Sequence, residues 1–62
     1  MFRVKDFQTG QIFTVLSVDR QEPYYNTVFL IWEDYKWKWE RADRFIPPNL
    51  DIQEFLENEK PF

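Results

Sequence analysis

The sequence predicts a mainly β domain: a small barrel of about five short antiparallel strands over residues 1–48, with a short acidic amphipathic helix in residues 49–62 docked on it. Three observations lead there. Short runs of β-branched and aromatic residues alternate with turn clusters as far as Ile46. The hydrophobic period turns helical only after Leu50. And 62 residues make one domain at most, because a chain this short buries only about 60% of the surface its unfolded form exposes.

Each element follows in chain order. Met1–Phe7 sets Phe2 and Val4 against Arg3 and Lys5, as a half-buried strand at a sheet edge does, and Gln8-Thr9-Gly10 turns the chain at its single glycine. Gln11–Asp19 is a strand with Phe13, Val15 and Ser17 on one face and Ile12, Thr14, Leu16 and Val18 on the other. Arg20–Tyr25 forms a loop displaying Tyr24 and Tyr25 beside Pro23. Asn26–Trp32 is apolar on both faces and therefore central. After the polar turn Glu33-Asp34-Tyr35, the residues Lys36, Lys38 and Glu40 alternate with Trp37 and Trp39, so the two indoles share a face. Arg41–Arg44 finishes that strand or turns, and Phe45-Ile46 forms an edge strand or a three-ten turn before Pro47 and Pro48 stop any ladder. In residues 50–58, Ile52, Phe55 and Leu56 lie at helical spacing opposite Asp51, Glu54 and Glu57, and Asp51 with Glu54 resembles a capping box. Two helical turns are not stable alone, so this segment must dock.

The stretch Trp37-Lys38-Trp39-Glu40-Arg41-Ala42, followed by Phe45-Ile46-Pro47-Pro48-Asn49-Leu50, resembles the paired-tryptophan strand and later proline-asparagine three-ten turn of SH3 domains. No glycine precedes Phe45, and Leu50 stands where SH3 domains carry a tyrosine. The resemblance is therefore to the wider SH3-like superfold, which includes Tudor-like and KOW-like barrels and small phage or plasmid proteins. It implies a binding module, with peptide, RNA and DNA ligands all represented on the fold.

Composition excludes most chemistry. Without His or Cys, the usual general base, the strongest nucleophile and the common transition-metal ligands are missing, so neither catalysis, a metal nor a cofactor is expected. The lone serine, Ser17, has no candidate partner. The absence of cysteine, an amino terminus broken by Arg3 and Lys5, and a longest apolar run of only Val28–Trp32 point to a cytoplasmic protein without a membrane span. The net charge of −3 comes from the tail, where Asp51, Glu54, Glu57 and Glu59 face only Lys60; residues 1–48 are neutral, so a basic footprint for duplex nucleic acid is absent.

The aromatic content is the informative feature. Tyr24, Tyr25, Trp32, Tyr35, Trp37 and Trp39 exceed what one small core encloses. The expected function is a non-enzymatic protein or peptide interaction module, of the kind found in accessory or inhibitory proteins of mobile elements, with Tyr24, Tyr25, Tyr35, Trp37, Trp39, Pro47 and Pro48 forming a shallow partner-binding groove. One alternative is single-stranded nucleic-acid binding by Lys36, Lys38, Arg41 and Arg44 beside stacked indoles. Another is a purely structural or dimerisation role, with edge strands near Met1 or Phe45 pairing two copies. The bland counterpart to all of these is that the indoles lie in the core or cover the docked helix, and that the basic residues form an ordinary solvated strand face.

Overall fold

A computed structural model describes residues 1–21, 26–58 and 60–62. The domain is mainly β, with strands β1 (Phe2–Asp6), β2 (Ile12–Gln21), β3 (Asn26–Glu33), β4 (Lys36–Arg41) and β5 (Phe45–Ile46), a three-ten turn at Ala42–Arg44, and one helix, α1 (Ile52–Asn58). All five strands belong to one antiparallel sheet in the order β4-β3-β2-β1-β5. The sheet curls without closing into a barrel. Strand β5 is only two residues long and runs into Pro47 and Pro48, which have no amide protons to extend a ladder.

The register decides which residues meet. Val4 pairs with Phe13, Val15 with Ile31, and Asp6 with Phe45, so these side chains share the concave face. There Val4, Phe13, Val15, Phe29, Ile31, Ala42 and Phe45 form the core. The phenylalanines interlock within it: Phe29 stacks on Phe45 at 6.1 Å and meets Phe2 and Phe62 edge-on at 5.5 and 5.6 Å. Phe62 is held there by its own amide, which donates to the Phe45 carbonyl at 3.1 Å.

Three features depart from the sequence reading. Strand β1 is an interior strand, because β5 returns to pair along its other side through Lys5 with Ile46 and Asp6 with Phe45. The three-ten turn precedes Phe45 and does not lie at the proline-asparagine step, where the Leu50 amide instead closes a turn on the Pro47 carbonyl at 3.1 Å. Strand β2 carries a bulge between Val15 and Ser17, so the alternation resets at Leu16, and Val18 rather than Ser17 lies opposite Phe29.

The turns show why these residues connect the strands. Asp34 and Tyr35 have φ of 54° and 63°, the pair of positive values that a two-residue type I′ hairpin needs, and Glu33 pairs directly with Lys36. Gly10 has φ of 79°, and its amide donates to the Asp6 carbonyl at 2.8 Å. The helix packs on the convex side of the β1–β5 end. Phe55 is buried and tilts against Phe7 at 5.1 Å, Ile46 is buried beneath this region, and Lys5 Nζ donates to the Leu50 carbonyl at 2.8 Å. Asp51 caps the helix by accepting from the amides of Gln53 and Glu54 at 2.8 and 3.3 Å.

Two substitutions test this backbone account with opposite signs. Gly10→Ala should lower stability by about 1 kcal/mol through the positive φ alone, since an added Cβ would meet Ile52 Cδ1 at an ordinary 3.6 Å. Tyr35→Gly should raise stability by about 1 kcal/mol, because a bulky residue held at positive φ is strained and this one makes no compensating burial, being 93% exposed. Urea unfolding of the two variants checks both.

Candidate functional site: an indole face on the β3–β4 hairpin

Equal spacing about the two-residue turn places Trp32 opposite Trp37 and Leu30 opposite Trp39, with Val28 opposite Arg41. All these residues point to the convex face, away from the core. Trp32 and Trp37 meet edge-on with ring centroids 5.2 Å apart, a favoured aromatic cross-strand geometry. The three indoles remain 47%, 43% and 50% exposed for Trp32, Trp37 and Trp39, and helix α1 lies over the other end of the sheet. Tyr35, in the turn two residues before Trp37, is almost fully exposed at the hairpin tip. Below Trp39, a shallow groove of about 350 Å³ is lined by Asp19, Arg20, Gln21, Val28, Trp39, Glu40 and Arg41, giving the indole face a polar margin.

The same alternation sends Lys36, Lys38 and Glu40 to the concave side. Lys38 Nζ lies 3.0 Å from Asp34 Oδ2 and 3.4 Å from Glu33 Oε1, and the hydrogen bond to Asp34 raises its pKa against the opposite pull of desolvation. Arg44 is the hub of this side. Its Nε donates to Asp6 Oδ2 at 2.9 Å, its Nη2 to Glu33 Oε2 at 2.9 Å, and its Nη1 lies 3.4 Å from Glu40 Oε1. Its guanidinium carbon sits 5.1 and 5.0 Å from the ring centroids of Phe13 and Phe45. Asp6 is itself buried, and its Oδ1 accepts from the Gln8 and Thr9 amides at 2.8 and 3.3 Å. Burial pushes the Asp6 carboxyl up, but the Arg44 hydrogen bond and the two amides outweigh it and hold the pKa below the usual carboxylate range. Glu33 is lowered chiefly by its hydrogen bond from Arg44.

The predicted site residues are thus sorted by the fold. Trp37 and Trp39 share the convex face of the hairpin, with Tyr35 exposed at its tip, and Arg41 lies at the margin of that face while pairing with Asp43 at 2.7 Å. Tyr24 and Tyr25 lie outside the described residues. Pro47 and Pro48 follow β5, the opposite edge strand, and Pro47 lines a separate groove with Leu50, Pro61 and Phe62, so the prolines do not join the indoles. Lys36 and Lys38 are on the face away from the indoles, and Arg44 is a structural ion-pair centre. Trp32 belongs to the site although the strand pattern alone assigns it to no groove; its position as many residues before the turn as Trp37 is after it was the available signal. Among the described residues, no three acidic side chains converge in a manner that could hold a metal ion. Among the described residues, no helix is long and apolar enough to cross a membrane.

No family model, curated protein or solved structure matches this chain. The functional reading therefore stands on geometry alone.

The Arg44 network carries a pH signature. Asp6 and Glu33 have folded pKa values below their unfolded ones, so their contribution is fully present above the unfolded values and lost as pH falls through the folded ones. Stability should be flat above about pH 5 and fall steeply below about pH 4. Glu33→Gln should flatten that fall, and Arg44→Ala should cost about 3 kcal/mol at neutral pH by leaving buried Asp6 uncompensated. Urea midpoints measured across the acid range check the profile.

Proposed function

We propose that this protein is a non-enzymatic interaction module that binds a partner protein or peptide through the convex indole face of the β3–β4 hairpin. One observation carries the reading: Trp32, Trp37 and Trp39 lie together on one sheet face, each about half exposed, with no element of the described chain packed over them. Contiguous exposed aromatic surface of this kind, bordered by polar side chains, is the composition of interface hot spots. Tyr35 supports it, since an exposed aromatic kept at positive φ, where Gly or Asn is cheaper, does nothing for the stability of the hairpin.

The strand order, in which the short fifth strand returns beside the first after a three-ten turn, supports the resemblance to SH3-like barrels. Binding of single-stranded nucleic acid is less well supported. It needs cations beside the rings, whereas Lys36 and Lys38 lie on the far face and Lys38, Arg41 and Arg44 are each paired with carboxylates.

The test is capture of partners on immobilised protein from lysate of the source cells, comparing the wild type with Trp37→Ser and Trp39→Ser after circular dichroism has shown both to be folded. A specifically retained protein should bind each variant about thirtyfold more weakly, the loss expected of a central aromatic contact. Equal retention by wild type and variants would overturn the reading, as would tight, salt-sensitive binding of a labelled oligonucleotide.

A further inference from the structure

The edge of β4 presents a surface distinct from its indole face. β4 is a terminal strand of the sheet, six residues long, without proline or bulge. A two-residue hairpin closes on a hydrogen-bonded pair, here Glu33 with Lys36, and such pairs alternate along an antiparallel ladder. The backbone groups of Lys36, Lys38 and Glu40 are thereby turned toward β3. Those of Trp37 and Trp39 point outward, with no strand of the described residues beyond them. Unpaired edges of this length are templates for another strand unless charge or geometry prevents it.

We propose that the partner for this edge is a second copy of the chain, paired β4 to β4 about a two-fold axis through Lys38, so that two sheets become one. The axis must stand perpendicular to the sheet, which restricts pairing to registers that keep indoles opposite indoles. Centring on Trp37 sets Lys36 against the other copy's Lys38, which repels. Centring on Trp39 offers Glu40 to Lys38, which is already engaged with Asp34 and Glu33, and gives Lys36 no carboxylate. Centring on Lys38 sets Trp37 against Trp39 of the other copy, as outward-facing hydrogen-bonded pairs, and Lys36 against Glu40, twice over.

Lys36 is the one lysine of β4 with no carboxylate partner among the described residues, and this register supplies one. The like pair at the centre is tolerable because each Lys38 is flanked by its own Asp34 and Glu33. The inference goes beyond the proposed function: it concerns the strand edge, and it would make the indole faces of two copies continuous.

Sedimentation velocity over a range of protein concentrations tests it. The wild type should show a monomer–dimer equilibrium, and Lys36→Glu should weaken dimerisation about tenfold or more by creating two like-charge pairs. The swapped variant Lys36→Glu with Glu40→Lys should recover most of the lost affinity. Glu40 makes the longest of the Arg44 ion pairs, at 3.4 Å, and the Asp6 and Glu33 pairs do not involve it. A second comparison does not depend on charge: Trp39→Pro removes an outward amide proton and should abolish dimers, whereas Trp39→Thr keeps it and should retain them in weakened form. A wild type that stays monomeric to millimolar concentration, a swap that restores nothing in a folded protein, or Pro and Thr variants of equal behaviour would each overturn the proposal. Undiminished partner capture by Trp37→Ser and Trp39→Ser with dimers intact would instead count against the indole-face reading.

Discussion

Arg44 is the constraint on which the rest of the structure depends. The sheet is open, with β4 and the two-residue β5 at its opposite ends, so no ladder joins β4 to β5 among the described residues. The guanidinium bridges the gap. It reaches Asp6 on β1, Glu33 at the end of β3 and Glu40 on β4, while its flat face lies on the rings of Phe13 and Phe45. A planar, permanently charged group with donors in several directions can satisfy three carboxylates and still cover apolar rings, which an ammonium group cannot. Among the described residues, no enclosed side-chain polar atom is left without a partner, so the ion-pair cluster is compatible with the apolar core beneath it.

With that side sealed, the aromatic residues divide by chemistry. Phe13, Phe29 and Phe45, which have no polar atom to satisfy, fill the concave core, Phe62 meets Phe29 at its margin, and Phe55 packs on Phe7 beneath the helix. The indoles, too large for a core this small and carrying an N–H, are left on the convex side of the hairpin. The indole face is thus the counterpart of the ion-pair face: one strand, β4, gives Lys38 and Glu40 to the ion-pair cluster and its rings to solvent. The alternation Lys36-Trp37-Lys38-Trp39, which reads along the chain as a mixture of cations and rings, becomes two surfaces with different tasks.

Much of this was legible in the residues. The strong period-two pattern of β4 put Trp37 and Trp39 on one face, and the polar turn Glu33-Asp34-Tyr35 marked the hairpin that carries them, although Glu33 itself ends β3. Asp51 marked the start of the helix, although helical structure begins one residue later, at Ile52. The bulge at Leu16 was not legible, because Thr14, Leu16 and Val18 continue an unbroken alternation and only the pairing with β3 interrupts it. Nor was the interior position of β1, since five residues of alternating character fit an edge equally well until a distant segment returns to pair with them. Arg44 read as one more basic residue after Arg41 because its partners lie 38 and 11 residues away in the chain.

By itself the sequence determined what short-range physics controls: the strand and turn positions, the face shared by neighbouring indoles, the helix cap and the excess of rings over interior space. The tertiary structure alone decided which of those rings stay outside, which cations are neutralised, and which two strands end the sheet. Those outcomes depend on contacts between residues far apart in the chain. A local pattern states that a face exists, but only the packing of the whole sheet states what covers it.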